Sequence, residues 1–252
     1  MRTHRSSLVV LSAVVIVACS DGTSPEPDDD ATLEEALSEL STVGTYAGAG
    51  TAPAGVGMVG VSAPPPEVCP FDATTEFFIC PERTHEGVTM NRRYQLLDAG
   101  GAPLSSFDPA TVSGIRNIAD LNGTMQHQGL DGSPVTFTID SHDEQTLTGL
   151  RTATRTVNGT GTSEITTTHN GQTRTTTSTR TTENLVLPST PGPGVYPASG
   201  TISSTGTSEG MTFSSTMTFN GTSIVTIVFS FNGATQTCTY DLATRMSPPV
   251  CQ

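Results

Sequence analysis

Asparagine followed by glycine occurs five times in this chain, at Asn122-Gly123, Asn158-Gly159, Asn170-Gly171, Asn220-Gly221 and Asn232-Gly233, each time flanked by β-branched or aromatic residues. Both residue types tolerate the positive φ that a type I′ turn demands at its central positions, so the pair is a strong hairpin signal. Between the pairs run alternating segments such as Val135-Thr-Phe-Thr-Ile139. That period of two belongs to strands with one face buried. From residue 67 onward the chain therefore reads as an all-β domain: an antiparallel meander of about ten strands of ordinary length. Apolar positions gather near its two ends, which favours an open or half-barrel sheet over a sandwich.

The carboxyl-terminal hairpins fix the finest detail. A two-residue turn at Asn232-Gly233 sets Phe231 opposite Ala234 and Ile227 opposite Cys238, keeping the apolar sides together. For the preceding strand, Met211 to Phe219, a three-residue loop from Asn220 to Thr222 with a bulge is expected. Between Arg151 and Glu183 the pattern changes, because threonine occupies both faces of strands such as Gln172 to Glu183. Such strands pair well but cannot enclose a dry core alone. Water or a partner must cover them, and Arg151, Arg155, Arg174 and Arg180 would discourage pairing with other chains. The pentapeptide TGTSE occurs at 160–164 and at 205–209. In threonine-rich sequence, chance explains that better than duplication.

Composition narrows the function classes. Twenty-four Asp and Glu face 11 Arg, with no Lys, for a net charge of −13. Nucleic acid is excluded as a partner, since counterion release needs a basic face. Eight of the carboxylates fall between Asp21 and Glu39, which suits a self-repelling solvated tether.

The amino terminus carries Arg2 and Arg5, then an apolar run from Leu8 to Ala18. It is well short of the ~20 residues that span a bilayer as a helix, and fits the apolar region of a signal peptide. Ile16-Val17-Ala18-Cys19 resembles the lipobox of bacterial prolipoproteins. The resemblance covers only residues 1–20. It implies a signal peptide over 1–18, diacylglycerol on the Cys19 sulfur, and acylation of the new amino terminus. Two or more acyl chains, at ~0.8 kcal/mol per buried CH₂, give a stable anchor. Residues 19–30 then form a lipidated acidic tether. Residues 31–66 hold one short helix, with Leu33, Ala36, Leu37 and Leu40 on one face, followed by a Gly/Ala/Pro-rich loop. Ser20, rather than Asp, follows Cys19; by analogy with enterobacterial sorting this favours the outer membrane over the inner, softened by Asp21.

Four cysteines remain: Cys69, Cys80, Cys238 and Cys251. Their spacing is wrong for zinc, and an exported chain meets an oxidising compartment. Of three possible connectivities, Cys69–Cys80 with Cys238–Cys251 is favoured. A turn near Asp72 to Thr75 would bring Phe71 near Phe78, and the second bridge would pin the Pro248-Pro249 tail onto the last strand.

Chemistry-bearing clusters are few. Asp140, His142, Asp143 and Glu144 could hold a divalent cation, although a solvated turn between two strands is the stronger reading. Gly206-Thr-Ser208-Glu-Gly210 matches the nucleophile-elbow pattern but lacks the following helix and any later histidine. His85, His127 and His169 are isolated, and Arg92-Arg93 decorates a strand. No cofactor or nucleotide motif is present. The leading expectation is a non-enzymatic lipoprotein with a structural or partner-binding role at the cell envelope, bound to membrane through Cys19 and to an envelope protein. The rival is a periplasmic carrier of a lipid or other apolar ligand, recognisable if Phe213, Phe229 and Phe231 line an open apolar concavity. A metal-dependent enzyme around His142 stands third.

Overall fold

The computed structural model describes residues 69–108, 110–128, 132–188, 194–243 and 249–251. Cys19 and the segments expected to form the signal peptide, the acidic tether and the short helix lie outside these residues. The described strands are β1 (Phe71–Asp72), β2 (Phe77–Ile79), β3 (Arg83–His85), β4 (Val88–Leu97), β5 (Pro103–Leu104), β6 (Gly114–Gln128), β7 (Pro134–Thr148), β8 (Thr154–His169), β9 (Gln172–Pro188), β10 (Ser199–Ser208), β11 (Met211–Phe219), β12 (Ile224–Phe231), β13 (Ala234–Asp241) and β14 (Val250–Cys251). All belong to one antiparallel sheet in the order β1-β2-β4-β6-β7-β8-β9-β10-β11-β12-β13-β14, with β3 and β5 also paired to β4. Among the described residues there is no helix, hence none able to cross a membrane, and no pairing joins β1 to β14.

Two of the five Asn-Gly pairs make the tight turns expected of them. Asn170-Gly171 (φ 50° and 77°) joins β8 to β9, and Asn232-Gly233 (φ 45° and 86°) joins β12 to β13. Phe231 faces Ala234 and Ile227 faces Cys238, as the sequence predicts. Glu86-Gly87 and Glu209-Gly210 adopt the same positive-φ pairs; there glycine takes the second position and glutamate tolerates the first. Asn220-Gly221 departs from expectation. Met217 lies opposite Ile227, not Val225, so the β11–β12 register is two residues longer than a three-residue loop would give. A shift of two keeps every side chain on its face.

Asn122-Gly123 and Asn158-Gly159 do not turn at all but lie inside β6 and β8. For that reason β6 to β9 run to 15–17 residues, longer than the ordinary strands expected. Opposite Asn158, β9 carries one residue too many: Val157 pairs with Leu185 and Gly159 with Thr182. The bulge is held by Asn184 at φ 49°, whose N–H donates to Asn158 Oδ1 at 2.7 Å.

The core crosses the sheet in two runs. Leu96, Ile115, Leu147, Val157 and Leu185 stand abreast on successive strands, and a second run, Ile202, Met217, Ile227 and Cys238, begins beyond the bulge, stepped so that Ile202 lies opposite Thr182 rather than Leu185. All are buried, with Val225, Phe229 and Tyr240 alongside on β12 and β13. A second cluster gathers Cys69, Phe78, Tyr94, Leu96, Val112 and Ile115 at the β1–β6 end, and Leu150 packs against both. The threonine-rich middle strands thus each supply one buried apolar residue, rather than leaving apolar contacts only at the ends of the sheet. Arg174 and Arg180 lie on β9, paired on both sides, so neither guards an edge.

Both expected disulfides are in place, Cys69–Cys80 and Cys238–Cys251, with Cα atoms 4.1 and 4.0 Å apart. Phe71 pairs with Phe78, their ring centroids 5.2 Å apart. In the turn between them Asp72 accepts from the Thr74 N–H and the Thr75 hydroxyl, and these bonds hold its carboxyl below the usual carboxylate range. Cys251 lies opposite Cys238, tying the end of the chain to β13.

Two measurements check this account. Ile227→Ala, at 1% exposure, is expected to destabilise the fold by about 2–5 kcal/mol, whereas Val228→Ala, next to it but outward at 39%, should change stability by less than about 0.5 kcal/mol. Denaturant unfolding of the two variants distinguishes them. Deleting Asn184 should abolish cooperative unfolding altogether. Without the extra residue, Leu185 and the threonines preceding it cannot all keep their present faces.

Candidate functional site

Because alternate residues of a strand face opposite ways, the sheet has a face that carries the apolar row and a face that does not. On the second face, β8 to β11 present hydroxyls almost without interruption. Thr162, Thr179, Thr205 and Ser214 form one row, and Glu164, Thr177, Thr207 and Thr212 form the next. Hydroxyl pairs bridge neighbouring strands: Thr177 with Thr207 at 2.9 Å, Thr166 with Thr175 at 3.0 Å, Thr168 with Thr173 at 3.1 Å. Threonine does not occupy both faces of β9 equally. Thr173, Thr175, Thr177, Thr179 and Thr181 share this face, while Arg174, Thr176, Ser178, Arg180 and Thr182 share the other.

Between those two rows runs an open groove of about 730 Å³ that crosses from β7 to β12. Asp140 and His142 continue its walls onto β7, and Ser230 continues one onto β12. The residues between the rows, Ser141, Ser163, Ser178 and Gly206, direct their side chains to the opposite face and leave backbone as the groove floor. Gly206 is required there. A Cβ would strike the Phe213 ring, which lies over it, and the Thr177 carbonyl.

The acidic cluster on β7 is not the turn expected between two strands but the middle of one continuous strand. Alternation then divides it. Asp140, His142 and Glu144 share the groove face; Asp143 points the other way and pairs with Arg180. His142 Nδ1 lies 2.6 Å from Asp120 Oδ1, and Glu144 accepts from Arg116 Nε at 2.8 Å. Among the described residues no three His, Cys, Asp or Glu side chains converge as a metal site would require. The Asp120–His142 pair orients an imidazole at one end of the groove. No hydroxyl among the described residues bonds to its other nitrogen, so the third member of an acyl-transfer relay is missing.

The remaining candidates take structural places. Ser208 is buried, bonded to Arg174 Nε at 3.0 Å and to the Thr176 hydroxyl at 2.9 Å, and Glu209-Gly210 after it is a hairpin turn. The two TGTSE segments are not equivalent, since Glu164 lies inside β8 and Glu209 in that turn. Arg92 donates to Asn117 Oδ1 at 2.7 Å and lies over Tyr94, while Arg93 stacks on Phe77. Burial lowers the Arg92 pKa and raises that of Tyr94. His169 shares a hydrogen bond of 2.7 Å with Ser133, and His85 lies 3.7 Å from Glu86; the side chain of His127 falls outside the described residues.

No protein-family model matches this chain, and no curated protein or solved structure matches it. The groove is therefore read from its own chemistry. It joins hydroxyls that both donate and accept to two carboxylates and one imidazole, and among the described residues no Arg lines it. The Asp143–Arg180 pair sits across β8 on the opposite face, directly above Gly161, whose added Cβ would come 3.4 Å from Asp143 Oδ2.

That geometry sets a size limit. Gly161→Ala should be tolerated within about 1 kcal/mol, because the new Cβ meets only ordinary contacts. Gly161→Leu should part the ion pair and cost about 1–3 kcal/mol. Chemical denaturation of both variants, with Asp143→Asn as a reference for loss of the pair, is the measurement.

Proposed function

We propose that this chain is an exported bacterial lipoprotein, anchored in membrane through Cys19, that presents the hydroxyl-lined groove to a partner at the cell envelope. The observation that carries this reading is the groove itself. It crosses the strands on the face away from the core, where a fold needs no cavity. The two disulfides suit an exported chain, because such bridges persist in oxidising compartments. The lipobox resemblance at residues 16–19 supplies the route and the anchor.

The apolar-carrier reading depends on exposed phenylalanines lining a concavity. Phe229 is instead buried in the main cluster, and Phe213 is packed on Gly206. The groove wall intersperses threonine and serine hydroxyls with the threonine methyls, so it offers no continuous hydrocarbon surface. The metal-enzyme reading depended on Asp140, His142, Asp143 and Glu144 acting together, and they are divided between two faces.

Fractionation tests the anchor. The wild-type chain should sediment with membranes and partition into detergent, and Cys19→Ser should move to the soluble exported fraction. An unchanged distribution would remove the lipid anchor from the proposal. Cross-linking on intact envelopes tests the groove. Substituting Thr179→Val and Thr205→Val together should abolish the adduct formed by wild type while leaving thermal unfolding unchanged.

A further inference from the structure

We infer that the groove takes a neutral linear polysaccharide lying across the strands, an inference that rests on the partner-binding reading above and names its ligand class. Direction is the first argument. The groove runs perpendicular to β7–β12, and each of those strands is already paired on both sides. An extended peptide therefore finds no open edge there to add to as another strand. What remains for a ligand is the side-chain array, repeating at about 4.8 Å from strand to strand.

The chemistry of that array is the second argument. Thr162, Thr179 and Thr205 each offer one donor and two acceptor lone pairs, and Asp140 and Glu164 only accept. A chain of sugar hydroxyls can satisfy all of them, since each hydroxyl also both donates and accepts. Asp140 and Glu164 face each other directly across β7 and β8, a like-charge placement that costs stability in a sheet. Hydroxyl donors between the two carboxylates would relieve that cost without bringing a charge.

Charge and anchors decide against the other polymers. With two carboxylates and no Arg among its lining residues, the groove repels phosphate, sulfate and uronate chains. It also lacks the buried aromatic or arginine anchors on which protein interfaces depend. Phe213, its one aromatic lining residue, is packed against Gly206.

The test is isothermal titration of the full-length Cys19→Ser chain with hexasaccharides of β-1,4-glucose, α-1,4-glucose and β-1,4-N-acetylglucosamine. Parallel arms use a sulfated polysaccharide and a Ser/Gly-rich peptide. Saturable binding of a neutral hexasaccharide is expected, weakened about tenfold or more by Thr179→Val with Thr205→Val, the loss of roughly one or two net hydrogen bonds. Valine keeps the branched shape of threonine, so these strands should persist. Thr237→Val, on the same face but outside the groove, should bind as wild type. Failure of all three neutral sugars, tighter binding of either parallel ligand, or indifference to the groove pair would overturn the inference. If the sugars fail while the groove pair still abolishes the envelope cross-link, the ligand class falls and partner binding stands. If both fail, both fall.

Discussion

Every strand from β4 to β13 except the two-residue β5 places one buried side chain on one face, in two abreast runs stepped at the bulge between β9 and β10, and the whole sheet depends on that alignment. Leu96, Ile115, Leu147, Val157 and Leu185 meet abreast, followed by Ile202, Met217, Ile227 and Cys238. A chain with only 34% hydrophobic residues can fold this way because burial is concentrated. At about 1.5–3 kcal/mol for each fully buried aliphatic side chain, nine aligned positions do what scattered apolar residues could not. The disulfides sit at the ends of this system. Cys238–Cys251 extends the row itself, and Cys69 closes the second cluster beside Phe78. Elsewhere the strands are free to be polar.

How much of this was legible in the sequence follows from what each local signal specifies. The β12–β13 register was readable because Asn232-Gly233 fixes the loop length and the alternation around it fixes the face. Both disulfides were readable from separations short enough to close a hairpin. Asn122-Gly123 and Asn158-Gly159 misled because Asn-Gly permits a turn without requiring one. At Gly123 the need is for space instead, since a side chain there would run into the backbone of Gly87. At Asn158 the side chain serves as the acceptor that anchors a bulge in the neighbouring strand. Neither role leaves a local signature, because in each case the cause lies on another strand. The Glu86-Gly87 and Glu209-Gly210 turns were overlooked for the opposite reason: glutamate is a poor turn marker, and glycine alone carried the signal.

The candidate site was harder still. Asp140, His142, Asp143 and Glu144 read as one cluster along the sequence, yet a strand's period of two puts Asp143 on the far side. Recognising the segment as strand would have separated them; its density of turn-forming residues argued otherwise. The groove could not be found from any single segment. Its walls come from six strands, and only their mutual register sets Thr162, Thr179, Thr205 and Ser214 side by side. The threonine-rich run at 172–183 was the available signal, and it did point to a face left for something other than a core.

The bulge at Asn184 connects that face to the row of buried residues. Leu185 belongs to the buried row. In an unbroken strand, alternation from Leu185 would send Thr181, Thr179 and Thr177 to the buried side and turn Arg180 and Ser178 outward. The extra residue reverses the count. Beyond it Thr182 is buried, Arg180 meets Asp143 above Gly161, and the odd-numbered threonines open onto the groove. One residue held at positive φ by a neighbouring asparagine thus reconciles two demands that simple alternation would set against each other. The apolar row requires Leu185 inward at one end of β9, and the hydroxyl array requires Thr179 outward at its middle. The face proposed to bind is therefore set by the same register that holds the core together.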